Sequence, residues 1–183
     1  MRPYSPDSMQ LISILLNYPD ETLFSHLDEI LSRADQVCPD KVKSAIQAFI
    51  NEYKFQGLVK AQEKYTALFD MDPSTTLNIT YHAHGDSEKR ATALTHLVQT
   101  YAGAGWEPTS GELPDYLPMV LEFLAISPPG EDTSPAWLCL KGMHPLLERL
   151  EEKAPLYASL LKPILTMVTK KSPPISTPEE EIP

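Results

Sequence analysis

Apolar residues recur along this chain at helical spacing, and proline, glycine or a capping residue separates one recurrence from the next; strand-type alternation is scarce. A first helix is expected from Ser5-Pro6-Asp7. Ser5 can cap, Pro6 suits the first helical position, and Asp7 lies at the positive end of the helix dipole. Its apolar positions are Met9, Ile12, Leu15 and Leu16, and it ends near Asn17, before Pro19. Asp20 caps a second helix, whose stripe of Leu23, Leu27, Ile30 and Leu31 faces a core. A third follows Pro39-Asp40 with Val42, Ala45, Ile46, Phe49, Ile50 and Tyr53 on one face, and Gly57 marks its end. A fourth runs from about Leu58 to Phe69.

Beyond a turn at MDPSTT (71–76), the stretch LNITYHAHGD reads as a loop or a short irregular element, because of its β-branched residues and Gly85. Asp86 or Ser87 caps a fifth helix carrying Ala91, Leu94, Leu97, Val98 and Tyr101, which fades at Gly103 and Gly105. After WEPTSGELP, Asp115 caps a sixth helix, YLPMVLEFLAI, with Pro118 in its first turn. SPPGEDTSP is a loop, a seventh helix covers about Ala136–Lys153, and an eighth about Leu156–Lys170. The expected fold class is all-α, a single-domain bundle of about eight helices spanning 1–171, divisible into lobes 1–70 and 77–171 at the MDPSTT hinge. The Pro- and Glu-rich tail 172–183 is expected to be disordered.

Composition narrows the function classes. Hydrophobic residues make up 42% of the 183 positions, which suits a packed domain. The net charge of −10 and the absence of a basic stripe argue against nucleic acid or stable membrane association and favour a cationic partner. The same acidity also serves plain solubility. Cys38 and Cys139, 101 positions apart and outside any CxxC pair, support neither a disulfide framework nor a zinc site. With no secretory layout at the N-terminus and no run of membrane-spanning length, the cytoplasm is the expected compartment.

Catalytic signatures are missing: the sequence holds no GxSxG, P-loop, GxGxxG or HExxH. Three segments remain as candidates. His82 and His84 with Asp86 could hold a divalent ion, and with Glu112 they would make a small metal-dependent hydrolase, but a durable site needs further ligands; the alternative is a buried, hydrogen-bonded histidine that orders the loop. In Glu112-Leu113-Pro114-Asp115-Tyr116, capping explains Asp115, whereas Glu112 is left to grip a partner's Arg, Lys or backbone amide. Tyr65 and Phe69 share a helix face, as core residues or as the lining of a groove for a partner helix.

The same segments carry a family likeness. EKYTALFD (63–70), HAHGDSEKR (82–90) and ELPDYLPMVLEFLA (112–125), preceded by NYPDETL (17–23), resemble the NarJ group of nitrate reductase delta-subunit assembly chaperones, within the wider TorD/DmsD redox-enzyme maturation superfamily. The likeness implies an all-α chaperone and not an enzyme. It implies binding of the N-terminal, twin-arginine-like leader of an immature molybdoenzyme catalytic subunit, with nitrate reductase alpha favoured. It also implies help with molybdenum cofactor insertion before membrane docking, and no cofactor of the chaperone's own. By position, the family's E-x-x-D-H-type motif falls on Glu112, Asp115 and Tyr116, with Tyr116 where many relatives have His. The Y-x-x-x-F-D element falls on Tyr65, Phe69 and Asp70, and H-x-H-G on His82, His84 and Gly85. With Pro114 and Leu117, these are the expected partner-peptide contacts. A structural helical adaptor is a further reading, and the oligomeric state stays open between monomer and dimer.

Overall fold

The computed structural model describes residues 5–109, 111–128 and 130–171; the tail expected to be disordered lies outside them. The all-α expectation holds, but the described residues form eleven α-helices rather than about eight. They are α1 (Pro6–Leu15), α2 (Glu21–Ser25), α3 (Leu27–Val37), α4 (Asp40–Gln56), α5 (Leu58–Tyr65), α6 (Ile79–His84), α7 (Glu88–Gly103), α8 (Leu117–Ile126), α9 (Ser134–Lys141), α10 (His144–Lys153) and α11 (Pro155–Lys171).

The larger count has identifiable physical causes. The second expected helix breaks at His26. Ser25 Oγ donates to the Thr22 carbonyl at 2.8 Å and His26 Nδ1 lies 2.7 Å from the same oxygen, so side chains take an acceptor that the helix ladder would use. The apolar stripe survives the break, with Leu23, Leu27 and Ile30 all buried across α2 and α3. The seventh expected helix splits into α9 and α10 at Gly142. A Cβ there would meet the Ile79 carbonyl oxygen at 3.1 Å, so glycine lets α6 approach, and Pro145 in the first turn of α10 cannot continue a ladder from α9. The fourth expected helix is α-helical only to Tyr65. Thr66–Asp70 is a π turn, in which the Met71 N–H reaches back to the Thr66 carbonyl at 3.0 Å. A 3-10 turn, Pro73–Thr75, follows.

Tertiary packing joins distant helices. α1 packs on α8, α4 on α3 and α11, and α10 on α11. Ser13 Oγ donates to the Pro118 carbonyl at 2.7 Å inside the α1–α8 contact. The predicted α4 stripe is buried at Val42, Ile46, Phe49, Ile50 and Tyr53, each large apolar side chain contributing about 1.5–3 kcal/mol. Phe49, Tyr53, Phe69 and Tyr157 form an aromatic knot, with ring centroids 4.3 Å (Phe49–Tyr53), 5.0 Å (Phe49–Tyr157) and 4.9 Å (Phe69–Tyr157) apart. The Tyr53 and Tyr157 hydroxyls pair inside it, and burial pushes the Tyr53 hydroxyl up to about 12. The knot ties α4 and α11 to the π turn, whose Phe69 also lines the candidate site. Both cysteines are free thiols, Cys139 buried and Cys38 half-buried.

Candidate functional site

Asp115 does not cap the helix that follows it. The residue before α8 is Tyr116, and no side chain caps that end. Asp115 is fully buried and turns instead to α6. Its carboxylate accepts the Thr80 N–H at 3.2 Å, the Thr80 hydroxyl at 2.5 Å and the Asn78 amide at 3.1 Å, with Arg90 Nη2 at 3.7 Å. It thus satisfies an orphan donor in the first turn of a helix 35 residues earlier. This distant cap is why LNITYHAHGD, expected as a loop or short irregular element, contains a helix. Arg90 completes the node: Nε donates to the Thr80 hydroxyl at 3.3 Å, Nη1 pairs with Asp86 at 3.2 Å, and the guanidinium lies over the Tyr81 ring at 5.5 Å.

Backbone pairing extends the node into a short zipper. Asn78 and Tyr116 form an isolated antiparallel bridge, in which Leu117 N donates to the Leu77 carbonyl at 2.8 Å and Ile79 N to the Asp115 carbonyl at 3.2 Å. Tyr101 pins the same loop by donating to the Pro114 carbonyl at 2.7 Å. The Glu112–Tyr116 corner is therefore a fixed platform rather than a free connection.

That platform forms one wall of a cleft of about 250 Å³. Tyr65, Phe69 and Asp70 come from α5 and the π turn, Glu112 and Tyr116 from the platform, and Tyr18, Thr76, Leu77 and Asn78 complete the lining. Tyr65 is buried and its hydroxyl donates to the Leu16 carbonyl at 3.0 Å; its oxygen lies 3.0 Å from the Tyr116 hydroxyl. A phenol has one proton, and the Leu16 carbonyl can only accept, so Tyr116 donates to Tyr65. Tyr18 and Phe69 meet the Tyr65 ring edge-on at centroid distances of 5.5 and 4.8 Å. Asp70 and Glu112 are exposed at the rim. Burial pushes the Tyr116 hydroxyl up, and the charges of Glu112 and Asp70 push it further the same way. Burial does the same for Tyr65, with Tyr116 and Asp70 adding to it. Both phenols stay protonated, and the cleft carries negative charge over an aromatic floor.

The remaining sequence candidates lie elsewhere. Leu117 is fully buried in the core, and Pro114 contributes its carbonyl to Tyr101. His82 Nε2 lies 2.8 Å from the Thr76 carbonyl, which can only accept, so this nitrogen carries the proton and Nδ1 accepts from Arg149 at 3.0 Å. Burial first, and Arg149 next among the lowering influences, push the His82 imidazole below its usual range, against the Thr76 bond. Arg149 also donates to the Ser74 carbonyl at 3.2 Å, so His82 latches the 72–76 turn onto α10. His84 is exposed and helps line a separate cavity of about 100 Å³ with Ala93, His96 and Leu138. Among the described residues no three His, Cys, Asp or Glu side chains are grouped to hold a metal ion.

A family model described as the nitrate reductase delta subunit matches residues 35–159. The chain belongs to the nitrate reductase delta-subunit family. Every cleft residue but Tyr18 falls within the matched span. The chain is 32% identical over 163 residues to a protein of Escherichia coli K12 named as the nitrate reductase molybdenum cofactor assembly chaperone NarJ, covering 86% of this chain and 67% of that one. It is also 32% identical to a NarJ of Bacillus subtilis, over 84% of each chain. A crystal structure described as a redox enzyme maturation protein, from Archaeoglobus fulgidus, shares the fold with a TM-score of 0.61 at 20% identity, over 93% of this chain and 95% of that one. The resemblance drawn from the three motif runs is thus borne out, and both NarJ relatives are named for assembly rather than for catalysis.

Thr80 and Tyr101, which help set the delta-subunit platform, carry no recognisable local signal, because their work is done on partners up to 35 residues away; Arg90 does stand in HAHGDSEKR, a run that carried part of the family likeness. Tyr18 did have one: it stands in NYPDETL, a run that carried part of the family likeness.

Proposed function

We propose that this delta-subunit family member is a cytoplasmic chaperone that acts on an immature molybdoenzyme catalytic subunit, nitrate reductase alpha being the favoured client. It would assist molybdenum cofactor insertion before membrane docking. It recognises the client through a basic segment of the N-terminal leader, which docks in the Tyr65–Tyr116 cleft. The observation that carries the reading is the charge of that cleft: its lining includes Asp70 and Glu112 and no Lys, Arg or His. A cation entering between the two carboxylates passes over aromatic faces, where charge and ring quadrupole act together. The adjoining surface continues the pattern. Tyr116 also lines a neighbouring cavity of about 240 Å³ with Trp106, Glu107, Met119 and Glu122. Charge of this kind supplies specificity and a fast approach more than affinity, which suits a client that must be released.

Asp115 has a different task. Being fully buried, it positions Glu112 and Tyr116 by fixing the platform. Among the described residues no helix is long and apolar enough to cross a membrane.

Titration calorimetry with a leader peptide bearing two arginines tests the proposal. Binding that weakens with added salt and falls in the Asp70→Asn/Glu112→Gln double variant is expected. Equal binding to a peptide with both arginines replaced by glutamine would overturn the assignment of the cleft.

A further inference from the structure

The two carboxylates of the cleft stand on different supports. Glu112 belongs to the platform, to which Leu77 and Asn78 are zipped by the Asn78–Tyr116 bridge. Phe69 and Asp70 belong to the π turn. Where Asp70 stands relative to Glu112 therefore depends on what fixes that turn.

A π turn closes its backbone bonds over one residue more than an α-helix does. Its mark here is the Met71 N–H, which reaches back five residues to the Thr66 carbonyl at 3.0 Å. A slip to the α register would rotate the residues that follow by about one position, about 100°, and Asp70 is the last residue of the turn. In the five-residue pattern the Leu68 carbonyl looks to residue 73, but that is Pro73, which has no N–H. The Thr75 hydroxyl donates to this carbonyl instead. Thr75 is fully buried, and a valine would fill the same space; what threonine adds is a donor to the π turn.

The 3-10 turn that carries Thr75 is clamped from two sides. From α10, Arg149 donates to the Ser74 carbonyl at 3.2 Å, and Lys153 reaches Asp72 at 2.5 Å and the Ser74 hydroxyl at 2.9 Å. From α6, His82 donates to the Thr76 carbonyl at 2.8 Å. Within the turn, the Thr75 N–H donates to the Asp72 carbonyl at 3.0 Å. The hydroxyl that answers Leu68 thus projects from a fixed base.

We propose that Thr75 is a positioning residue for the cleft: its hydroxyl holds the π register of Thr66–Asp70 and so sets where the Asp70 carboxylate stands relative to Glu112. The inference rests on the cleft as the client site and says how its charges are spaced. Asp115 fixes the wall that carries Glu112, and Thr75 fixes the wall that carries Asp70.

Amide hydrogen exchange and peptide titration on the full chain test this with two variants. Thr75→Val keeps the shape and removes the donor, whereas Thr75→Ser keeps the donor. In Thr75→Val the Met71 N–H should exchange about tenfold faster, the effect of about one lost hydrogen bond. The platform N–H groups of Ile79 and Leu117 should exchange as in the wild type, and Thr75→Ser should restore the Met71 rate. A peptide bearing two arginines should bind Thr75→Val about two- to fivefold more weakly, the effect of one exposed charge pair. It should bind Thr75→Val/Asp70→Asn no more weakly than Asp70→Asn, because the effect passes through Asp70. A Met71 rate unmoved by Thr75→Val, a rise shared by Ile79 and Leu117, a Thr75→Ser variant that behaves as Thr75→Val, or a further loss of binding on the Asp70→Asn background would each overturn the proposal. If Asp70→Asn and Glu112→Gln leave peptide binding unchanged, the cleft reading falls, while the Met71 rate still decides whether Thr75 holds the turn.

Discussion

Glu112 and Asp115 are carboxylates three positions apart in one loop, yet one is exposed at the rim of a cleft and the other is fully buried. The buried one is surrounded by the Thr80 N–H and hydroxyl, the Asn78 amide and Arg90. The exposed one shares its cavity with Asp70 and Tyr116. The difference teaches that a short acidic motif can place its two carboxylates in opposite environments. The buried carboxylate sets geometry, whereas the exposed one places its charge at the rim of the cleft beside Asp70.

Removing the buried partner should have the largest effect. Asp115→Ala takes the acceptor from the Thr80 and Asn78 donors and leaves Arg90 to Asp86, and should lower unfolding stability by about 3–5 kcal/mol in urea titration. A loss no larger than that of an exposed carboxylate would erase the contrast between the two residues. Arg90→Met attacks the node from the cationic side. Because the Arg90 side chain keeps 16% of its exposure, the expected loss is smaller, about 1–3 kcal/mol. Tyr65→Phe sits between the two regions: it removes the donor to the Leu16 carbonyl and the acceptor for Tyr116. It should cost about 1–2 kcal/mol and also loosen peptide binding, by freeing the Tyr116 hydroxyl.

Glu112→Gln should leave stability within about 0.5 kcal/mol of the wild type, because the residue is exposed. Its effect belongs in calorimetry with the basic peptide, where an exposed charge pair is worth about 0.2–1 kcal/mol and less at high salt. The smallest effect concerns the latch behind the cleft. Because His82 titrates below its usual value of 6.5 in the folded chain, the unfolded chain takes up this proton first as the pH falls. The stability tied to neutral His82 is therefore complete above about 6.5 and is lost as the pH drops through the lowered folded value. His82→Gln should flatten the stability–pH profile between 7 and 5, seen as a smaller shift in denaturation midpoint than in the wild type.

Much of the fold was legible because its causes are local. The Ser5 cap of α1, the Asp20 cap of α2, the α4 stripe and the glycine after it all fall where spacing and side-chain chemistry place them. The breaks at His26 and Gly142 were not, since continuous apolar spacing does not record a side chain competing for a carbonyl or one helix approaching another. The site was legible in part. Tyr65, Phe69, Asp70, Glu112 and Tyr116 meet in one cleft as their motifs suggested, while His82 and Leu117 are held within the chain's own structure and His84 lines a different cavity.

By itself, the sequence determined that the chain is helical and where most of its helices begin. Only the tertiary structure decided which carboxylate faces solvent. Asp115 reads locally as a cap for α8, but the unsatisfied donors it answers belong to α6, and they reach it only when chain segments 35 residues apart are folded together. Burial and hydrogen-bond partners are properties of the assembled chain, so the roles of Glu112 and Asp115 could separate only there.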